Sequence, residues 1–364
     1  MTATHTQYKS PISARSFTAG QDFITAAKVY WHNGLFPAVR EDFERREGLS
    51  GKKAETVEEI AALMEDSLVY RYFGWFERHL QRYKYSGRYG LIEWHRQNQD
   101  KLGEKLEAAP AEQLELHPDL EMPRYYANCD IHQHPGGVWS NEMGGFIYER
   151  AASTTTPLAG AKHSDMHDKF VDIIESYDKA PGKILEMACG FGKTAAPLYK
   201  RFKDAEVTAV DLSGPCLKVA ALRAKEAGAT NVKFKQADAA ETGFEDASFD
   251  MVASSMFLHE MPPPYIEKTL AEAARVLKPG GEMIHLDFYH FMSPFHRFIH
   301  YTHGRRNNEP FMEPLGEMDL PGKMKELGFT DIVIEPFAEA EGVLSPEFRT
   351  WRYPWTVIRA KRAA

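Results

Sequence analysis

Lys183–Ala195 reads K-I-L-E-M-A-C-G-F-G-K-T-A, an order of residue types that spells strand, tight turn, helix. Ile184 and Leu185 form a short apolar run that ends in an acid, Glu186. A loop of small residues follows (Ala188, Cys189, Gly190, Gly192), and the stretch from Thr194 to Phe202 has the pattern of a helix start. Glycines in such a loop let the chain turn sharply and let a ligand lie against main-chain N–H groups. By itself the loop leaves the ligand open. Gly190-x-Gly192-x-x-Ala195 also fits a dinucleotide-binding turn, with Asp211 placed about 20 residues on, as that pattern requires. An ordinary strand-to-helix turn would look the same.

The residues downstream narrow the choice. Val207–Val210 is a second apolar run, ending at Asp211-Leu212-Ser213. Val232–Phe234 is a third, followed by Gln236-Ala237-Asp238-Ala239. Phe249–Ser254 is a fourth, closed by Phe257-Leu258-His259-Glu260-Met261-Pro262. A helical stretch, Ile266–Leu277, then leads through Lys278-Pro279-Gly280-Gly281 into a fifth run, Glu282–Leu286, ending at Asp287. Strands alternating with helical patterns predict a parallel sheet covered by helices on both faces. Ligands of such sheets sit at the carboxyl ends of the strands, beside the switch in strand order. Glu186, Asp211, Asp238 and the pair Ser254/Ser255 all fall at those ends.

In these features Lys183–Asp287 resembles a class I S-adenosylmethionine-dependent methyltransferase, nearest in character to the UbiE-like quinone C-methyltransferase and small-molecule branch. The likeness extends over residues 165–360. E-M-A-C-G-F-G resembles that family's first motif, V-D-L-S its second and Q-A-D-A its third. L-K-P-G-G before the fifth strand is the most specific mark, because nicotinamide dehydrogenases do not place it there. Ala188 departs from the family's usual Gly, and Lys193 is a less usual residue whose ammonium could contact the cofactor carboxylate. The resemblance implies an α/β fold with a Rossmann-like seven-stranded sheet, the last strand antiparallel, and S-adenosyl-L-methionine as cofactor. It makes Asp211 the acid on the ribose hydroxyls, which are paired donors suited to a carboxylate. It places Leu212 against the adenine, Asp238 on the adenine amino group with the Ala239 N–H on the ring, and Glu186 near the methionine end. Ala188, Gly190 and Gly192 supply the turn, and Ser254 completes the cofactor set.

Composition fits an intracellular enzyme. The chain has 364 residues, of which 43% are hydrophobic, enough for a sizeable core and about two domains. Three cysteines, Cys129, Cys189 and Cys216, show no framework spacing and argue against a disulfide-stapled secreted protein. A net charge of -8 without a long basic run argues against nucleic-acid binding. Met1–Gly20 is polar, with neither a signal peptide nor a membrane span, so a cytoplasmic location is expected.

Four regions follow: a flexible terminus over 1–22, a helical cap or dimerisation domain over 23–123, a connecting strand and loop region over 124–163, and the methyltransferase domain over 164–364. Phe23–Phe36 and Thr56–Glu107 read as helical, with a break at Tyr85-Ser86-Gly87. The aromatic stripe Tyr70, Tyr72, Phe73, Trp75, Phe76 reads as core, and the domain as a cover for the cofactor cleft, a homodimer contact, or both. On an extended strand Asp130, His132 and His134 would share one face, and His296 and His300 form an i, i+4 pair, yet no complete metal-ligand motif results. Pro135-Gly136-Gly137 is expected to pack over the substrate opening with one His facing it. Ser164 is expected to cap the helix that precedes the first core strand.

An insertion over 288–318 is dense in aromatic residues and His, and predicts an apolar or aromatic-lined pocket for a small organic substrate. Methyl transfer is in-line displacement, for which alignment and a dry cavity account for much of the rate. A protic acceptor needs a base. His259 is placed best, where it resembles both the base His of phenol-type O-methyltransferases and a Leu-His pair of quinone C-methyltransferases; His134 and His290 are further candidates. The expected activity is therefore methylation of an aromatic or partly apolar small metabolite at O, N or C. Two competing readings are a nicotinamide-dependent oxidoreductase and a catalytically inactive cofactor-binding regulator or scaffold.

Overall fold

The computed structural model describes residues 10–153, 163–176, 180–345 and 347–364. The first half is helical: α1 (Ala14–Tyr30), α2 (Phe36–Ser50), α3 (Val57–Met64), α4 (Leu68–Tyr85), α5 (Leu91–Gln97) and α6 (Gln99–Glu107). Hydroxyls at the helix starts accept the backbone N–H groups that have no partner inside a helix: Ser13 from Ser16, Thr56 from Glu59 and Ser67 from Tyr70. A π-helical turn, Trp31–Leu35, joins α1 to α2 and swings the Trp31 ring onto Phe73, with centroids 4.6 Å apart. The expected flexible terminus is corrected from Ala14 onward, because Phe17, Gln21 and Ile24 of α1 are buried; residues 1–9 lie outside the described part.

The second half is an eight-stranded sheet in the order β1-β4-β3-β2-β5-β6-β8-β7. Its strands are β1 (Leu114–Glu115), β2 (Lys183–Met187), β3 (Glu206–Asp211), β4 (Val232–Gln236), β5 (Phe249–Ser255), β6 (Leu277–Phe288), β7 (Phe329–Pro336) and β8 (Trp355–Arg362). β1 to β6 run parallel, and β8 is antiparallel to both neighbours. β2 to β8 are the seven strands expected. β1 is a two-residue addition from the linker after α6, paired to β4 through Leu114 and Glu115. From β2 the chain runs outward through β3 and β4, then returns to the other side of β2 as β5, so the switch in strand order lies between β2 and β5.

Nine further α-helices lie among the described residues. α7 (Arg124–Ala127), α8 (Gly144–Ser153) and α9 (His163–Glu175) precede β2; α10 (Ala195–Arg201), α11 (Gly214–Glu226) and α12 (Pro263–Val276) connect strands. α13 (Pro294–Asn307), α14 (Met312–Glu317) and α15 (Leu320–Glu326) follow β6. Ser164 falls inside α9 rather than before it, and residues 154–162 and Tyr177 of the connecting region and its helix lie outside the described part. Among the described residues no helix is long and apolar enough to cross a membrane.

Two sequence expectations change here. Asp130, His132 and His134 do not lie on a strand: Ile131–Gln133 is a tight 3-10 turn in which His132 and Gln133 take left-handed φ of 56° and 55°. Asp130 locks that turn by accepting the Gly136 N–H at 2.9 Å. The aromatic insertion is also mostly core. Phe295, Phe298 and Ile299 of α13 are buried with Trp31, Phe36, Val39 and Phe73 of the helical half, and Phe295 stacks on Phe43 at 4.5 Å. An aromatic stripe at helical spacing packs against a second helical layer as readily as it lines a pocket. Here it fastens the helical domain to the sheet.

Candidate active site

A cavity of about 240 Å³ lies between the carboxyl ends of the parallel strands and the wall formed by α1 and α4. Ala188, Gly190, Asp211, Leu212, Asp238 and Ala239 line its sheet side, the position the switch point dictates. Asp211 is fixed by its own loop: the Gly190 N–H donates to one carboxylate oxygen at 2.7 Å and the Ser213 N–H to the other at 2.8 Å. Burial still pushes its carboxyl up to about 6. Asp238 accepts the Ala240 N–H at 2.8 Å, and burial raises its carboxyl too. Glu186 is buried behind this wall, not on it. Its Oε2 has no hydrogen-bond partner among the described residues, and burial followed by the charge of Asp211 pushes it up to about 8. Lys193 lines the cavity, and burial brings its amine down to about 8.

Two of the cofactor candidates do other work. Gly192 lies under α11, where a Cβ would stand 3.0 Å from that of Ala220; its small size serves helix packing. Ser254 points into the sheet and bonds the His285 ring at 2.6 Å. Ser255, on the opposite face, reaches the cavity and pairs with the Thr194 hydroxyl at 2.7 Å. Consecutive strand residues face opposite ways, and the sequence alone did not say which of the two pointed to the ligand.

Of the three candidate bases, His259 lines the cavity; His134 and His290 do not. His134 is buried against the Tyr85 ring, and burial lowers it to about 3. His290 is exposed at the mouth of the insertion. His259 is buried, with Nδ1 2.7 Å from Asp287 Oδ1. Asp287, at the end of β6, also accepts the N–H groups of Phe257 (2.8 Å) and Leu258 (2.6 Å), which pins the loop carrying His259. Burial works to lower the His259 ring, but the Asp287 carboxylate outweighs it and raises the ring above its ordinary value. With Nδ1–H held by Asp287, Nε2 is the atom left to exchange a proton.

Nε2 faces Glu309 at 3.9 Å. Glu309 also meets His132 Nδ1 at 3.1 Å and His303 Nε2 at 3.8 Å, while His132 Nε2 reaches Glu260 at 3.1 Å. Burial opposes charge on both partners, yet their attraction prevails: Glu309 falls to about 2 and His132 rises to about 10. His303 is further held by Glu77, which Arg306 and Asn307 also bind. Among the described residues no group of three or more His, Cys, Asp or Glu side chains is placed to hold a metal ion. His132, not His134, is thus the histidine of the 130–137 segment that faces the opening, alongside Gly137. Of the insertion's aromatic and His side chains only Phe288 and His303 reach the cavity. Sequence reasoning missed Glu309, Glu77, Lys28 and Lys84, each in a segment without a motif.

Residues 184–281 match the family described as a methyltransferase domain. The chain is 35% identical over 148 residues to the ubiquinone/menaquinone biosynthesis C-methyltransferase UbiE of Brucella anthropi, covering 39% of this chain and 56% of that one. It is 39% identical over 111 residues to the demethylmenaquinone methyltransferase of Thermus thermophilus, covering 30% and 49%. The chain spans about half the length of the curated relatives it matches. Among solved structures, phosphoethanolamine N-methyltransferase 2 of Haemonchus contortus aligns with a TM-score of 0.47 at 19% identity, over 67% of this chain and 61% of that one. Residues 184–281 thus carry a methyltransferase domain, similar to that of class I S-adenosylmethionine-dependent enzymes, and S-adenosylmethionine is the cofactor which that similarity implies. The residues present suit that group: Asp211 offers a carboxylate to ribose hydroxyls, Asp238 an acceptor to the adenine, and the unpartnered Glu186 oxygen an acidic site behind the turn.

Proposed function

We propose that the protein methylates a small organic acceptor held in the chamber between the sheet and the helical wall, and that His259 takes the acceptor's proton. The cofactor, when bound, supplies an electrophilic methyl group. The protein's own residues then have three tasks. Asp211 and Asp238 fix the position of the donor, and the loop bonds to Asp211 keep its carboxylate from swinging away. The rings of Tyr148, Phe288, Tyr353 and Trp355 give the acceptor apolar walls and exclude water, which suits an aromatic or partly apolar body. His259, oriented and made more basic by Asp287, receives a proton at Nε2.

One observation carries this reading: the Asp287-supported histidine opens onto the same cavity as the acids at the ends of β3 and β4. Calorimetry tests it. The wild-type chain is expected to bind S-adenosylmethionine with micromolar affinity, and Asp211→Ala about 100-fold more weakly, the equivalent of a pair of charge-assisted hydrogen bonds. Absence of binding by the wild type at high micromolar cofactor, or displacement of the cofactor by a nicotinamide nucleotide, would refute it.

A further inference from the structure

The buried acids toward the helical side of the chamber each have an opposite charge beside them. Glu77 is bound by Arg306 and His303, Glu309 by His132, and Asp287 by His259. Two lysines on the helical wall break the pattern. Lys28 of α1 and Lys84 of α4 both line the chamber, and neither forms an ion pair among the described residues. Lys28 Nζ reaches only the neutral Gln81 Oε1, at 3.4 Å. Lys84 is 4% exposed, and its ammonium lies over the Tyr85 ring at 4.9 Å without an acceptor. Burial, and then the charge of Lys28, drives the Lys84 amine well below its ordinary range; the opposing pull of Glu309 acts from too far away to pair with it. Burial likewise lowers Lys28 to about 8, outweighing the opposing pull of Glu77, which forms no ion pair with it. A buried amine without a counter-ion, as at Lys84, is costly, and the half-buried Lys28 beside it adds to the cost. The arrangement makes sense when an anion enters the chamber.

We propose that Lys84 and Lys28 form an oxyanion subsite, so that the acceptor is an acid. On the methyl-transfer reading, its carboxylate or phosphate lies on the α1–α4 wall while the atom to be methylated faces the strand ends. The walls of the chamber then sort the substrate: anion on the lysines, apolar body between the aromatic rings, reacting atom beside His259.

The test uses the full chain loaded with S-adenosylhomocysteine and titrated calorimetrically with benzoate, phenyl phosphate and neutral benzamide. An oxyanion is expected to bind at millimolar concentration at least about ten-fold more tightly than benzamide. The stronger of the two anions tells carboxylate from phosphate. Lys84→Met should weaken the anion about ten-fold and leave benzamide and S-adenosylhomocysteine binding unchanged. Near pH 8 anion binding should draw protons from buffer, because a bound anion raises the lysine it pairs with, and Lys84→Met should reduce that uptake. The same variant should raise the Tm of the ligand-free protein by removing a buried amine that has no hydrogen-bond acceptor, where the loss of a merely structural lysine would lower it. No anion binding at millimolar concentration, affinity for both anions no greater than for benzamide, or unchanged anion affinity in Lys84→Met would overturn the proposal. If S-adenosylhomocysteine itself does not bind, the methyl-transfer reading falls; if it binds and the anion preference is missing, only the lysine subsite does.

Discussion

The two walls of the chamber handle charge in opposite ways. On the sheet side Asp211 and Asp238, with Glu186 behind them, are acids whose carboxyls burial pushes up, and none of the three forms an ion pair among the described residues. Toward the helical side, buried acids and histidines satisfy each other. Asp287 and Glu309 are pulled down by His259 and His132, and both rings are pulled up in return. An acid raised by burial has no counter-ion bound to it in the protein, even where loop N–H groups hold it as at Asp211 and Asp238. It is placed to receive a ligand donor. An acid lowered by a buried partner is already committed, and acts by holding that partner in position and protonation state. The direction of the shift thus separates groups that bind from groups that orient.

The largest effect that could break this contrast is on turnover. His259→Ala is expected to lower the rate on a protic acceptor by about 10³-fold while S-adenosylmethionine binding survives. Asp287→Asn gives the sharper result. His259 must be unprotonated to act, so the wild-type rate should climb with pH through a midpoint above the ordinary 6.5 of a histidine, since the Asp287 carboxylate raises it. Without that charge the midpoint should move to lower pH, and the plateau should drop because the ring is a weaker base. A pH profile that stays in place in Asp287→Asn would mean that His259 is not the titrating group.

Folding stability tests the helical side more gently. His132 is raised from 6.5 to about 10, so its contribution is complete below 6.5 and fades as pH rises through about 10. Glu309 is lowered from 4.5 to about 2, so its contribution is complete above 4.5 and fades as pH falls through about 2. The pair should therefore stabilise most between 4.5 and 6.5. Glu309→Gln is expected to cost about 2 kcal/mol there, with the gap to wild type narrowing at both extremes. Denaturant unfolding across pH measures it. A constant gap would show that the ion pair is not what Glu309 contributes.

The same contrast governs what could be read without coordinates. The sheet side is built from short contiguous runs, 183–195, 210–213 and 236–239, in which strand, turn and acid occur in fixed order, so the fold and most of the residues that line the cavity there were legible. Even there the faces were not: Ser254 and Gly192 had the right chain position and the wrong direction. The helical side draws Lys28, Lys84, His132, His259 and Glu309 from segments with no spacing in common. His132 reaches the chamber only because its turn adopts a left-handed φ, and a histidine between Ile131 and Gln133 carries no mark of that. The aromatic run of the insertion misled for a related reason. Helical periodicity shows that a face is buried but not what covers it.

The smallest prediction lies at the turn where the sequence departed from its family. Ala188 and Gly192 both have positive φ, 56° and 84°, yet only one position is glycine. At Gly192 the geometry requires it, since a Cβ would meet Ala220 at 3.0 Å in addition to the backbone strain. Ala188 has room for its methyl group on the cavity wall but still bears the left-handed conformation, a cost of about 1 kcal/mol for an L-residue. Ala188→Gly removes that strain and loses part of the gain to the greater freedom of the unfolded chain, so the net stabilisation should be about 0.5 kcal/mol. Cofactor affinity should stay within a few-fold, because the turn keeps its shape. Thermal and denaturant unfolding of Ala188→Gly against wild type would show it. A lower stability would mean that the alanine methyl packs usefully against the cavity wall, and that the departure from glycine is a feature of this site, not a tolerated strain.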